Sequence, residues 1–327
     1  MPTQDNDTYY YDSYGTYHIH EEMLSDRIRT KAYMNWIYRN KDLLKDKVVL
    51  DVGCGTSILS LFCAKAGARK VYAVDASAIV HTARKIVEIN NLSDVVEVIE
   101  GKIEEIELPE KVDIIISEWM GYFLYYESML NSVLVARDRF LKEDGIMAPN
   151  KTVIKIAGIE DAEFKEDKLN FWKNVYGFDM GFLSESFLNE PLVDYAPAEA
   201  LVTDFAVVDE CDIDTVVNGE CGAYKSKFKL NVTRDDVLHA LVAHFDVGFT
   251  HGHSLWFSTS PESPNTHWKQ TVLYLKDDIV VYEGDVVEGE IEVLPNSLNP
   301  RELDIKLTYK YSGKGSVVEN HQFFRLQ

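Results

Sequence analysis

The sequence predicts an α/β fold, a doubly wound and mostly parallel sheet, followed by an antiparallel β-barrel or sandwich domain that carries one helical insertion. Three observations carry this expectation. Between residues 47 and 148, short continuous apolar runs alternate with helical stretches, the rhythm of strand–helix–strand units whose sheet is covered on both faces. Beyond residue 151 the runs alternate apolar and polar and are separated by turn residues, the pattern of an antiparallel domain. The chain has 327 residues, 46% of them apolar, which suits about two domains with cores of their own.

Residues 1–15 are polar but carry Tyr9, Tyr10, Tyr11 and Tyr14. So many aromatics in a free tail would be unusual, so part of this stretch is expected to dock. From His20 to Asn40, Met23, Leu24, Ile28, Tyr33, Met34 and Ile37 recur at near-helical spacing, predicting one helix or two joined ones. Strands are predicted at 47–51, 70–75, 95–100 and 112–117 and from Gly145, with helices at 58–66, 77–90 and 127–140. Alternating strands follow at 153–157, 225–232, 271–275, 286–293 and 303–311, and 161–180 reads as helical. The domains are accordingly 1–40, 41–149 and 150–327, with the helical arm at about 161–182.

Acidic residues outnumber basic ones, 54 to 33, for a net charge of −21. That argues against direct contact with a phosphate backbone and is compatible with a cationic partner. Cys54, Cys63, Cys211 and Cys221 form no C-x-x-C pair and read as free thiols, with neither a disulfide framework nor a zinc site. No apolar run approaches a membrane helix, and the N-terminus MPTQDNDTYY lacks the apolar core of a secretory signal. Two tracts, 183–224 with ten acids and 277–292 with seven, contain no Lys or Arg. Such runs are usually solvated; two in one domain suggest an acidic groove.

Asp51-Val52-Gly53-Cys54-Gly55-Thr56-Ser57 follows a strand and opens a helix. Glycines here let the backbone turn tightly at a helix N-terminus. Asp75 ends the next strand, where an acid can accept from both hydroxyls of a ribose. Together they predict an adenosine-containing cofactor, against the bland reading of a turn that only packs. A dinucleotide fingerprint would need glycine at position 58, which is Ile58. D-x-G-x-G is instead the pattern associated with S-adenosylmethionine enzymes, and Asp51 is then expected to face the methionine ammonium.

In the stretch 117–129, SEWMGYFLYYESM, Glu118 lies just beyond a strand end, where open α/β sheets place their sites. Glu127 is expected to start the next helix, after a loop containing Gly121. For Glu127 alone, a first-turn glutamate favoured by the helix dipole is the simpler account. Two acids on opposite arms of a loop can converge on a guanidinium, which is planar, positive and donates five hydrogen bonds. A carboxylate metal site competes, but the extra His or Asp ligands are not nearby.

With these motifs in order, the sequence closely resembles the protein arginine N-methyltransferases, specifically the type I enzymes that make asymmetric dimethylarginine. The resemblance rests on YYDSYGTYHIHEEMLSDRIRT, VLDVGCGTS, SEWMGYFLYYESML, WKNVYGFDM and THWKQ, and it runs from about Tyr10 to the final strands. It implies S-adenosyl-L-methionine as methyl donor, no metal, and transfer to guanidinium nitrogens of protein arginine, giving mono- and asymmetric dimethylarginine. Arg/Gly-rich RNA-binding proteins and histone tails are the implied substrates. It implies a homodimer through the arm at 171–180 or higher oligomers, no direct nucleic acid or membrane partner, and a cytoplasmic and nuclear location.

The resemblance also implies residue roles. Tyr10 and Tyr14 lie on a helix that closes over the cofactor. Met23 borders the guanidinium and helps set the product, and Met129 packs against the reacting centre. Arg29 pairs with the cofactor carboxylate. Gly53 and Gly55 meet its methionine moiety, Asp75 holds the ribose, and Glu104 lies near the adenine. His20 and Ala76 complete the cofactor contacts. Glu118 and Glu127 bind the guanidinium, and His267 pairs with Asp26 beside them. One departure is Ser57, where the family usually has a third glycine; serine is expected to cap the following helix and be tolerated. Ser57 is the only support for a non-catalytic partner of an active paralogue. A nucleic-acid methyltransferase is opposed by the charge and by SEWM standing in place of Asn-Pro-Pro-aromatic. A nicotinamide oxidoreductase is opposed by Ile58.

Overall fold

The computed structural model describes residues 6–314 and 316–327. The first five residues of the tyrosine-rich stretch, and the Tyr9 side chain, lie outside the described residues. The N-terminal region is helical: α1 (Asn6–Ser13), α2 (Tyr17–Ser25), α3 (Arg27–Arg39) and the single turn α4 (Lys41–Leu44). The expected pair of joined helices breaks at Asp26. This residue has extended backbone, and its carboxylate accepts the Arg29 N–H at 3.0 Å, capping α3. α3 buries Tyr33, Trp36 and Ile37 along one face. Trp36 stacks on Phe249 at 5.5 Å and donates to the His251 carbonyl at 3.1 Å, so the helix is pinned to the β domain.

The parallel sheet contains β1 (Val48–Val52), β2 (Lys70–Asp75), β3 (Val96–Glu100), β4 (Val112–Ser117) and β5 (Leu141–Ala148), in the order β3-β2-β1-β4-β5. α5 (Ile58–Lys65), α6 (Val80–Ile89) and α7 (Met129–Phe140) lie between them in sequence. β1 is buried along its whole length, which is why VVLDV shows no alternation. The strand order reverses at β1, so the carboxyl ends of β1 and β4 diverge into a crevice. Two helix starts differ from expectation. α6 begins at Val80 because Ser77 is held in a turn by Asp75. α7 begins at Met129, because Glu127 and Ser128 take left-handed φ values of 76° and 58°. Glu127 is therefore a loop residue, and the helix-dipole account of it falls.

The second domain runs through β6 (Lys151–Ile159), α8 (Ala162–Phe171), α9 (Ser184–Phe187), β7 (Leu192–Asp194), β8 (Ala206–Asp212), β9 (Tyr224–Asn231), β10 (Asp236–Phe249), β11 (Leu255–Ser258), β12 (Gln270–Val281), β13 (Val286–Pro295), β14 (Leu303–Gly313) and β15 (Ser316–Leu326). Its described strands form two antiparallel sheets, β7-β12-β10-β6-β8, with β11 on β10, and β15-β14-β13-β9. β8 lies against β9 and β12 against β15, which gives the expected barrel or sandwich the form of two apposed sheets. β10 was not foreseen: it is buried on both faces over most of its length, so period-two alternation is missing. The helical reading of 161–180 stops early. After Phe171 the chain makes a tight turn at Val175–Phe178, where Tyr176 and Gly177 have positive φ. Among the described residues no helix is long and apolar enough to cross a membrane.

The acidic tracts are partly neutralised by strand pairing, contrary to a bare acidic groove. Lys225 meets Glu290 and Lys306 meets Glu292, each at 2.8 Å, across the outer face of the second sheet. Asp277 and Asp285 accept from Tyr309 and Tyr311, Asp278 takes Lys165, and Asp212 takes Lys151. The lysines come from other strands and, for Lys165, from α8, all outside the tracts themselves, which is why the tracts looked unpaired.

Ser57 does not cap α5. It is fully buried at φ 67° and makes no side-chain bond to the helix; its hydroxyl donates to Cys54 Sγ at 3.7 Å. Left-handed backbone is unfavourable for a residue with a Cβ, and glycine avoids that cost at some entropic expense. Ser57→Gly is expected to stabilise the protein by about 0.5–1 kcal/mol, read as a higher denaturant midpoint at unchanged slope. A lower midpoint would show that the hydroxyl outweighs the backbone.

Candidate active site

The carboxyl ends of β1, β2 and β4 open onto one cavity, roofed by the N-terminal helices and closed on one side by the β domain. The floor is the turn after β1. Gly53 and Gly55 have φ values of 71° and 52°. A Cβ on Gly53 would lie 2.2 Å from Met129 Cε, and one on Gly55 would lie 3.2 Å from the His20 ring. The positive φ favours glycine at both positions, and a Cβ at either would project towards the side chains that line the cavity. Asp75 braces it: Oδ2 accepts the Gly55 N–H at 2.9 Å, and Oδ1 accepts from Ser77 N and Oγ at 2.8 and 2.7 Å. Ala76 and Glu104 complete this end, the latter accepting from Ser132 at 2.6 Å.

At the other end stand the two glutamates. Glu118 Oε2 accepts from Arg29 Nε at 2.8 Å and pairs with Nη2 at 2.7 Å; both side chains are almost fully buried. Arg29 therefore already has an acidic partner from the protein itself. Glu127 Oε2 accepts the Tyr14 hydroxyl at 2.6 Å. Its main chain is gripped from the β domain: Glu127 N donates to the Arg301 carbonyl at 2.7 Å, and Arg301 Nη1 donates to the Glu127 carbonyl at 2.6 Å. Burial pushes the Glu127 carboxyl up, and neighbouring Glu118 adds to this; the Tyr14 hydrogen bond, Arg301 and His267 oppose it. Burial likewise raises the Tyr14 hydroxyl.

His267 lines the same cavity. Its Nδ1 lies 2.7 Å from Asp26 Oδ2, which also accepts the His267 N–H at 2.9 Å. Burial of Asp26 tends to raise its carboxyl, but hydrogen bonds from the His267 side chain and from the Arg29 and His267 backbones overcome this and hold it low. Trp268 donates to the Met120 carbonyl at 2.7 Å, tying the THW segment to the glutamate loop.

Of the residues singled out from the sequence, Tyr10, Tyr14, His20, Met23, Arg29, Gly53, Gly55, Asp75, Ala76, Glu104, Glu118, Glu127, Met129 and His267 all line this cavity. Asp26 stands behind His267. Asp51 is buried beneath the glycine turn, where Oδ2 accepts from Ser60 N and Oγ at 3.0 and 2.6 Å. Asp51 Oδ1 is buried with no hydrogen-bond partner among the described residues. Sequence reasoning missed Arg301, Ser132 and Trp119. Arg301 carried no signal, being a single basic residue in a turn far along the chain. Among the described residues, no group of three or more His, Cys, Asp or Glu is placed to hold a metal ion.

A reversed parallel sheet with a glycine cradle, and an acid at the end of its second strand, defines the class of S-adenosylmethionine-type methyltransferases. Residues 29–165 match the model of the ribosomal protein L11 methyltransferase, and residues 150–314 match the arginine methyltransferase oligomerization subdomain. The chain is 52% identical over 321 residues to protein arginine N-methyltransferase 1.1 of Arabidopsis thaliana, covering 98% of this chain and 82% of that one. It is 51% identical to protein arginine N-methyltransferase 1 of Schizosaccharomyces pombe, over 93% and 90% of the two chains. A solved Trypanosoma brucei PRMT1 enzyme–prozyme heterotetrameric complex with AdoHcy superposes with a TM-score of 0.94 at 47% identity, covering 97% of this chain and 100% of that one. Arabidopsis thaliana protein arginine methyltransferase 10 superposes at 0.87 with 34% identity, over 96% and 99%. The chain belongs to the protein arginine N-methyltransferase family.

The environment of Asp51 makes a prediction about pH. Burial drives its carboxyl up to about 7, against the hydrogen bonds from Ser60. A raised carboxyl favours the fold below its unfolded value near 4, and that contribution fades as pH climbs through about 7. Asp51→Asn keeps an acceptor for Ser60 and does not ionise. The wild type is expected to lose stability relative to Asp51→Asn between pH 4.5 and 7.5, by denaturant titration at several pH values. A constant difference would show that the Asp51 carboxyl is not raised above its unfolded value in the fold.

Proposed function

We propose that the protein transfers methyl groups from S-adenosyl-L-methionine to the guanidinium nitrogens of protein arginine, as a type I enzyme giving mono- and asymmetric dimethylarginine. The observation that carries this reading is that Glu118 and Glu127 open on the same cavity as the Gly53–Gly55 cradle and Asp75. The site fits the donor: the cradle carries no Cβ to project towards the side chains that line the cavity, and Asp75 and Glu104 offer acceptors at one end. Arg29 offers N–H donors at the other end for a carboxylate, with Glu118 keeping it in place. When bound, the donor supplies an electrophilic sulfonium methyl group.

The protein's own task concerns the nucleophile. A guanidinium is protonated below about pH 12 and its lone pair is delocalised. Glu118 and Glu127 orient it and draw positive charge away from the attacking nitrogen, so positioning is the main contribution. The proton goes to Glu127, whose carboxyl is raised by burial, or to His267 held by Asp26. Both glutamates being in place speaks against a non-catalytic partner.

Cationic Arg/Gly-rich segments and histone tails are the substrates this reading favours. The arm supports a homodimer. Tyr176, Phe178 and Phe182 are exposed on it, Tyr176 almost wholly, while Tyr17 and Ile89 are exposed on the cofactor-binding part. Apolar surface of this kind marks interaction sites.

The test is a methyl-transfer assay with labelled donor and an Arg/Gly-rich peptide, followed by separation of the methylarginines. Asymmetric dimethylarginine is expected; symmetric product would overturn the type I reading. Glu127→Gln is expected to lower kcat by about 100-fold or more while donor binding by calorimetry stays within a few-fold. Met23→Phe narrows the space beside the guanidinium and is expected to raise the ratio of mono- to dimethyl product. An unchanged ratio would remove Met23 from product control.

A further inference from the structure

We propose that Arg301 is a positioning residue that couples closure of the N-terminal helix α1 to the placement of Glu127, so that the arginine-binding acid is set only when the roof is closed. The inference rests on the arginine-methylation reading and adds to it a residue from the β domain.

Arg301 sits in the turn between β13 and β14, and that turn is stapled from within. Buried Asn296 donates to Asp304 at 3.0 Å and accepts from Leu298 and Asn299 at 2.9 Å; Asn299 donates to Glu302 at 2.8 Å. From this rigid base Arg301 makes two kinds of contact. Its carbonyl and guanidinium hold both ends of the Glu127 residue, at 2.7 and 2.6 Å, and the Pro300 carbonyl next to it accepts the Ser128 hydroxyl. These grips fall where the backbone is least comfortable, at the left-handed pair Glu127 and Ser128. Such a conformation persists only when its surroundings impose it.

The same guanidinium lies 3.9 Å from the centroid of the Tyr10 ring and 5.6 Å from that of Tyr11, both on α1. A cation at that distance over an aromatic face is attracted to it. Just past the end of α1, Tyr14 donates to the Glu127 carboxylate, and its ring packs edge-on to Tyr10 at 5.1 Å. The contacts form a closed circuit: Arg301 to Tyr10, Tyr10 to Tyr14, Tyr14 to the Glu127 carboxylate, and the Glu127 main chain back to Arg301. An eight-residue helix is marginal alone, so α1 depends on this docking. Arg301 also lowers the Glu127 carboxyl against the effect of burial, which helps keep the acid ionised.

The test uses the full-length protein, with S-adenosylhomocysteine as the binding probe and an Arg/Gly-rich peptide as methyl acceptor. Arg301→Met is expected to lower kcat tenfold or more and to weaken probe binding by three- to tenfold. It should also move the acid limb of kcat/KM to higher pH, because the cation that holds Glu127 down is gone. Tyr10→Leu is expected to reproduce the loss in probe binding, with Tyr10→Phe restoring it. The Arg301→Met/Tyr10→Leu double variant should bind no more weakly than the worse single variant, as coupled residues do. Arg301→Lys keeps the charge and loses the planar fork. It is expected to keep probe binding within threefold while lowering kcat, and it carries the test should the methionine variant not fold. An acid limb and kcat unchanged within twofold in these variants would overturn the proposal, as would fully additive losses in probe binding. A wild type that binds the probe but methylates no arginine would refute the methylation reading instead, and the Arg301–Tyr10 cycle in probe binding would still report on the circuit.

Discussion

Two carboxylates facing one buried cavity set the terms for the rest of this molecule. Removing a carboxylate from water is costly unless a partner replaces the solvent, and a second acid nearby adds repulsion. Each glutamate here has a partner from a different part of the chain. Arg29, on α3, takes Glu118; Tyr14, beyond α1, takes Glu127. The positive charge of a guanidinium between the acids would relieve what protein partners leave over. A site built this way favours its cationic ligand before any particular contact is counted.

Holding two acids on opposite arms of one loop requires that the loop keep its shape. Glu118 is anchored by following directly on β4, where Ser117 donates to the Val52 carbonyl at 2.7 Å and accepts Tyr33 at 3.0 Å. Glu127 has no such strand to rest on. Its left-handed backbone is supported by the β domain through Pro300 and Arg301, and Trp268 fastens the middle of the loop at Met120. The second domain thus serves as a brace for the loop. The cofactor end is more self-contained: β1, its glycine turn and Asp75 belong to one sheet and stabilise one another locally.

That difference explains what was legible in the sequence. The cofactor end could be read because strand, turn, helix and acid follow one another between Val48 and Asp75, each with its own local signature. The glutamate loop was read from residue type and spacing, but the helix start was placed two residues early, since nothing in YYESML announces left-handed backbone at Glu127 and Ser128. Ser57 was misread for the same reason: serine suits a helix cap by residue type, and only the observed φ shows that it occupies glycine's conformation. β10 escaped because burial on both faces erases the alternation that marks a half-buried strand.

The sequence by itself determined the order of elements in the first domain, the class of that domain, the glycine cradle with Asp75, and the pair of acids that names the substrate chemistry. These depend on short-range patterns of polarity, chain flexibility and side-chain type. Tertiary structure alone decided that Asp51 lies beneath the turn, that Arg29 is already paired with Glu118, that the acidic tracts meet lysines of neighbouring strands, and that Arg301 reaches Glu127 and Tyr10 at once. Apart from Asp51 and Ser60, which are nine positions apart, each of these joins residues tens to hundreds of positions apart. Which long-range partner a side chain meets is set by sheet register and by how helices and sheets pack, and a single sequence encodes neither in any local pattern.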